Sequence, residues 1–296
     1  MFDKVIVGID GSSGGRDALA LAGELTSDGG EIALTHVYIE SQLPARGSPG
    51  VFQAGERRYS RELLEAARSD SGLDAKLCPV QSASIGRGLH QLAEWLGADL
   101  VVVGSSRRGL LGRVAQGDDT RAALNAAPCA VAIAPTGYAE RPSILAEIGV
   151  GYDGSPESQH ALSVARELAA THGSRVSAFQ AVSLPLRAFV DTRHSVPGLE
   201  ALEAEIENAR ERLAALGDVE PHAAYGEPAE ELALYGASVD LLIVGSRGYG
   251  PLGRLIHGST SLRLAHAARC PLLVLPKAAT ADRPAELYHE QDTAPA

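Results

Sequence analysis

Ten short apolar runs punctuate this chain, built mainly from Val, Ile, Leu and Ala. In the first half they fall at 4–10, 31–38, 73–80, 99–104 and 130–134; in the second, at 148–153, 175–182, 219–225, 240–245 and 272–276. The runs are continuous rather than alternating, as expected of strands buried on both faces. Stretches with helical spacing lie between them. The clearest is 199–216, where Leu199, Leu202, Ile206, Ala209 and Leu213 share one face. Its N-terminal half carries Glu200, Glu203, Glu205 and Glu207, which suits the helix dipole. Strand and helix alternate throughout, which predicts parallel βαβ units with helices on both sheet faces, an α/β doubly wound fold.

The pattern occurs twice. VGIDGSSGGRDALALAGEL from Val7 matches VGYDGSPESQHALSVAREL from Val150, 143 positions on. GSSRRGLLGRVAQGDDTRAALNAAPCAVAIAP from Gly104 matches GSRGYGPLGRLIHGSTSLRLAHAARCPLLVLP from Gly245 without a gap, 141 positions on. In each copy this segment follows an apolar run that has an Asp just before it, Asp99 or Asp240. We therefore expect two tandem domains, 1–136 and 147–278, a linker over 135–147, and a polar, disordered tail at 279–296. Two connections, 41–59 and 183–197, are rich in Pro, Gly and Arg and are expected to be mobile loops.

Composition narrows the function. The formal net charge of −11 argues against binding nucleic acid or an anionic membrane. With no signal-peptide pattern and no long apolar span, the chain reads as cytoplasmic. Cys129 and Cys270 share one repeat position before a strand, which suits small buried thiols better than ligands. No histidine pair has metal-ligand spacing, so no metal site is expected. Lysine occurs only at 4, 76 and 277, never after a glycine. A Walker-type phosphate loop, which needs GK[ST], is therefore excluded.

The chemistry concentrates after the fourth strand of the second half. Gly245 and Gly248 let a ligand approach the backbone, and Gly258-Ser259 opens a helix whose first amides are unpaired donors. Ser259, Thr260 and Ser261 add hydroxyls, and Arg247 and Arg254 add positive charge. A plain turn with a serine cap accounts for only part of this set, so anion binding is the better reading. Residues 248–253 also match GxGxxG, but Pro251 removes an amide from that cradle and no acid ends the next strand. Asp153, ending the first strand, is either a helix cap or a ligand group at the same crevice; Asp10 is its counterpart.

The arrangement G-x-x-G, nine residues, then G-S after the fourth strand, with an Asp ending the first, resembles the universal stress protein family over nearly the whole chain. The second half carries the full motif, at Gly245, Gly248, Gly258 and Ser259. The resemblance implies a five-stranded parallel sheet in each half, in order 3-2-1-4-5, with ATP, alone or with Mg²⁺, at the strand ends. Carried over by position, Asp153 sits by the adenine and ribose with Gly151 and Tyr152, and the backbone of Ala181 touches adenine. Val244 and Gly245 line base and ribose. Gly248, Gly258, Ser259, Thr260 and Ser261 hold the phosphates, with Arg247 nearby. The halves are expected to pair within the chain, which leaves further pairing into homodimers open.

The first half departs from the motif twice. Arg107 replaces the second glycine of Gly104-x-x-Gly, and Asp118 replaces the serine after Gly117. A carboxylate at ~4 Å from a phosphate charge costs about 4 kcal/mol at an effective dielectric of ~20. One ATP per chain is therefore expected, in the second half, with Asp118 at a helix N-terminus filling the first-half anion site. The function this supports is a nucleotide-dependent stress or signalling protein without dedicated catalysis. The alternative is a slow ATP hydrolase or phosphotransferase at the same site, with His257 or Asp153 as base.

Overall fold

The computed structural model describes residues 1–39, 49–105, 118–183, 197–246 and 259–276, with the backbone alone at 49–53, 118–119, 197–198, 259 and 266. The first half runs β1 (Phe2–Gly8), α1 (Ser13–Leu25), β2 (Thr26–Ile39), α2 (Pro49–Ser71), β3 (Ala75–Ser82), α3 (Ile85–Leu96), β4 (Leu100–Gly104), α4 (Asp118–Leu124) and β5 (Ala130–Ala134). The second repeats it as β6 (Glu147–Gly151), α5 (Pro156–His172), β7 (Arg175–Val182), α6 (Pro197–Ala214), β8 (Glu220–Tyr225), α7 (Pro228–Tyr235), β9 (Leu241–Gly245), α8 (Ser259–Ala267) and β10 (Leu272–Leu275). Within each half the strand order is 3-2-1-4-5 and all pairings are parallel.

The halves are fused by backbone pairing. β5 and β10 run antiparallel, with Val131 opposite Val274, Ala132 opposite Leu273 and Ile133 opposite Leu272. The result is one ten-stranded sheet in the order β3-β2-β1-β4-β5-β10-β9-β6-β7-β8. Its outer edges are β3 and β8, and each carries a proline, Pro79 or Pro221. Proline cannot donate to a ladder and so is tolerated at sheet edges, where it also blocks further strand addition.

Two apolar layers sandwich the sheet, and both continue across the joint. One lies under α1, α2, α5 and α6 and includes Leu21, Leu64, Ala132, Leu168, Leu213 and Leu273. The other lies under α3, α4, α7 and α8 and includes Leu89, Leu124, Val131, Leu232, Leu264 and Val274. Burying a side chain of this size fully is worth ~1.5–3 kcal/mol, so the joint is held by core burial as well as by its ladder.

Three expectations need correcting. Much of the expected loop at 41–59 is helix: α2 starts at Pro49, a residue whose fixed φ suits the first helical position. On α6 the periodicity holds for Ala209 and Leu213, which are fully buried, but Leu199 is 54% exposed. The segment 135–147 is packed rather than a free connection. Tyr138 and Leu145 are buried, and the buried Asp17 carboxylate accepts hydrogen bonds from Gly137 N at 2.9 Å and Ala139 N at 2.8 Å. The loop expected at 183–197 falls mostly outside the described residues, as does the 279–296 tail.

The repeated aspartates before β4 and β9 also acquire a role. Asp99 accepts from the amides of Asp3 and Lys4 at 2.9 and 3.0 Å, and Asp240 from Glu147 at 2.9 Å. Each carboxylate aligns the start of its first strand beside the fourth, at the end of the sheet away from the glycine-rich loops.

Candidate functional site

In the second half the carboxyl ends of β6, β7 and β9 and the first turns of α5, α7 and α8 enclose a cleft of about 110 Å³. Gly151, Tyr152, Asp153, Ala181, Val244, Gly245, Thr260 and Ser261 all line it. Eight of the twelve residues singled out from sequence thus converge here from four separate elements. Of the other four, Ser259 is the first residue of α8 and its side chain is not described. Arg247, Gly248 and Gly258 lie outside the described residues, as do Arg254 and His257.

Two glycines shape the cleft by what they lack. A Cβ on Gly245 would stand 2.6 Å from the Glu157 carbonyl carbon and oxygen, so only glycine lets the end of β9 press against the start of α5. A Cβ on Gly151 would lie 3.0 Å from Val244 Cγ1 and 3.2 Å from Leu232 Cδ2, filling the gap between two wall side chains.

Asp153 is not the helix cap. Ser155 caps α5, its hydroxyl accepting from Ser158 N at 3.2 Å, while Asp153 Oδ1 accepts from Ser155 N at 3.0 Å. The carboxylate is thereby held in a local turn ahead of the helix, on the cleft wall. Asp10 behaves alike. Its Oδ1 accepts from Ser12 N at 2.9 Å and Ser12 Oγ at 2.6 Å, and Ser12 caps α1.

Sequence reasoning missed Ser155, Ser158, Phe179, Pro228 and Leu232, which also line the cleft. Phe179 could have been found, since it lies two residues before Ala181 on one strand and so shares its face. Pro228 and Leu232 come from α7, which carries no motif. Phe179 is braced from behind: Tyr235 stacks on it with ring centroids 4.8 Å apart, and the Tyr235 hydroxyl bonds Ser177 Oγ at 2.6 Å. Burial holds the Tyr235 hydroxyl well above the usual phenol range, so it stays neutral.

The helices on either side are tied together. Arg263 of α8 reaches Glu227 Oε1 at 2.9 Å and Glu230 Oε1 at 3.1 Å, and Glu227 caps α7 through the amides of Ala229 and Glu230. Arg263 is therefore committed to α7. Among the described residues no group of three or more His, Cys, Asp or Glu is placed to hold a metal ion, and no helix is long and apolar enough to cross a membrane.

The universal stress protein family model matches residues 1–135 and again 146–276. The chain belongs to the universal stress protein family, as two tandem domains. A universal stress protein of Mycobacterium tuberculosis is 32% identical over 290 residues, covering 91% of this chain and 96% of the relative. Another, from Mycolicibacterium smegmatis, is 26% identical over 292 residues, 92% of this chain and 96% of the relative. A solved universal stress protein from Archaeoglobus fulgidus aligns with a TM-score of 0.64 at 16% identity, over 93% of this chain and 99% of that one. At that identity the structural match speaks to the fold alone.

The first half of this universal stress protein keeps a cleft of its own, of about 220 Å³, at the ends of β1, β2 and β4. Gly104 there packs against Gly14, whose carbonyl oxygen a Cβ would meet at 2.1 Å. Asp118 is the first residue of α4, as expected, with its side chain not described; Arg107 and Gly117 lie outside the described residues.

Proposed function

We propose that the second-half cleft binds an adenine nucleotide, ATP alone or with Mg²⁺, and that occupancy, rather than catalytic turnover, is the output in a cytoplasmic stress response. The observation that carries this is the convergence of Asp153, Ala181, Val244, Gly245, Thr260 and Ser261 on one cleft from four elements. The chemistry of that wall fits the parts of a nucleotide. Phe179, Ala181, Val244 and Leu232 offer apolar faces to a base, the Asp153 carboxylate can accept from ribose hydroxyls, and the Thr260 and Ser261 hydroxyls stand in the first turn of a helix, where phosphates are favoured.

Size bears on how the ligand sits. About 110 Å³ is well below the ~300–1,000 Å³ of clefts that enclose drug-sized ligands. The enclosed part suits base and ribose, with the phosphates at the open end over α8. Titration calorimetry of the full chain with ATP, with and without Mg²⁺, tests the reading. We expect one site per chain, weakened at least tenfold by Asp153→Ala. No binding of any adenine nucleotide, or binding indifferent to Asp153, would overturn it.

A further inference from the structure

The first-half cleft keeps much of the second's apolar wall and its aspartate, but differs from it where the glycine-rich loop meets the next helix. By strand register and repeat position, Gly8, Asp10, Val37, Leu89 and Val103 stand where Gly151, Asp153, Ala181, Leu232 and Val244 stand in the other half. The cleft is twice the size, about 220 against 110 Å³, and Thr35 and Ile9 line it at the places of the larger Phe179 and Tyr152. Its walls are mainly apolar side chains, among them Val37, Ile85, Leu89 and Val103.

Asp10 supplies the polar contact. Its Oδ1 is taken by Ser12, while Oδ2 has no partner among the described residues. A carboxylate oxygen left free on a cleft wall is an acceptor for a vicinal diol. The opposite end is unsuited to phosphate: α4 opens with Asp118-Asp119 where α8 opens with Ser259-Thr260. Thr120 ties that first turn to the cleft, its hydroxyl 3.5 Å from the Gly104 carbonyl oxygen, so the two carboxylate-bearing residues begin the helix beside the β4 end. A carboxylate within ~4 Å of a phosphate charge opposes it by roughly a thousandfold at an effective dielectric of ~20 and leaves an uncharged ligand unaffected.

We propose that the first-half cleft binds an unphosphorylated purine nucleoside, so that one chain senses a nucleotide and a nucleoside at separate sites. The choice of a purine rests on the reading of the second-half cleft given above. The test is calorimetry of the full chain with adenosine as probe, first on protein saturated with ATP and then on protein alone. We expect adenosine to bind the ATP-saturated chain at one per chain. Asp10→Asn keeps an oxygen for Ser12 and replaces the free acceptor with a donor. It should weaken that binding at least tenfold and leave ATP at one per chain. Ile85→Trp, at a half-buried wall position, should block adenosine in the same way.

Adenosine that only displaces ATP, or that binds Asp10→Asn as tightly as wild type, would overturn the proposal. So would two ATP per chain with one lost in Asp10→Asn. Absence of ATP binding, with adenosine binding still sensitive to Asp10→Asn, would remove the second-half reading and support this one.

Discussion

Gly245→Ala tests whether the second-half cleft depends on close contact between a strand end and a helix start. The added Cβ would stand 2.6 Å from the carbonyl carbon and oxygen of Glu157 and 2.7 Å from its Cβ. Carbon atoms in contact prefer at least ~3.5 Å, so β9 and α5 must part by about 1 Å. Neither can yield by a side-chain rotation, because the obstacle is backbone. Overpacking of this kind costs about 1–3 kcal/mol. The displaced wall is also the one proposed to hold the nucleotide, so affinity for ATP is expected to fall at least tenfold, which corresponds to about 1.4 kcal/mol. Urea denaturation followed by circular dichroism gives the stability change, and calorimetry gives the affinity. Gly154→Ala is the control. Gly154 has φ +80° and nothing within 4 Å of where an alanine methyl would lie, so the change should cost about 1 kcal/mol from backbone conformation and leave the cleft width intact. If Gly245→Ala lies within about 0.5 kcal/mol of wild type, as a neutral surface change would, the contact does not set the cleft.

Three further outcomes follow from the fold. Asp17→Ala removes both hydrogen bonds that hold 137–139, and Ala139 is exposed enough for its amide to find water. The loss should therefore be about 2–3 kcal/mol in urea rather than the sum of two buried charged bonds, and a change under about 0.5 kcal/mol would deny the linker its anchor. Tyr235→Phe strands the buried Ser177 hydroxyl and should cost about 1–3 kcal/mol, part of which Ser177→Ala in the same chain should restore. Burial pushes the Cys129 and Cys270 thiols up to about 12, so at pH 8 both remain protonated. Iodoacetamide should label them only after unfolding, and rapid labelling of the native chain would contradict their burial.

The repeated pattern of apolar runs and the spacing of glycines made much of this protein legible. The elements, the repeat, and the glycine and hydroxyl residues of the cleft follow from local signals: strands buried on both faces read as unbroken Val, Ile, Leu and Ala, and a glycine-rich strand-to-helix loop reads as an anion site. The strand order within each half, and Gly151, Tyr152, Ala181 and Val244, came from the resemblance to the family. Where local signals compete, the reading failed. Pro49 and its glycine neighbours suggested a loop and instead open α2, since proline both breaks helices and begins them. Asp153 looked equally like a cap or a ligand group, and the cap turned out to be Ser155 two residues on.

Other features were decided only by the assembled chain. The antiparallel pairing of β5 with β10 has no sequence mark, because backbone hydrogen bonds are alike for every residue and their partner lies some 140 positions away. The widths of the two clefts, about 110 and 220 Å³, also had no mark in the sequence, because they depend on how side chains from several separate elements pack together. Asp99, Asp240 and Asp17 were visible as acids, but only the fold brings each to the amides it satisfies. Sequence thus determined the elements and the chemistry available at their ends. Tertiary packing decided which edges join, how wide each cleft is, and which polar groups are held for structure rather than for a ligand.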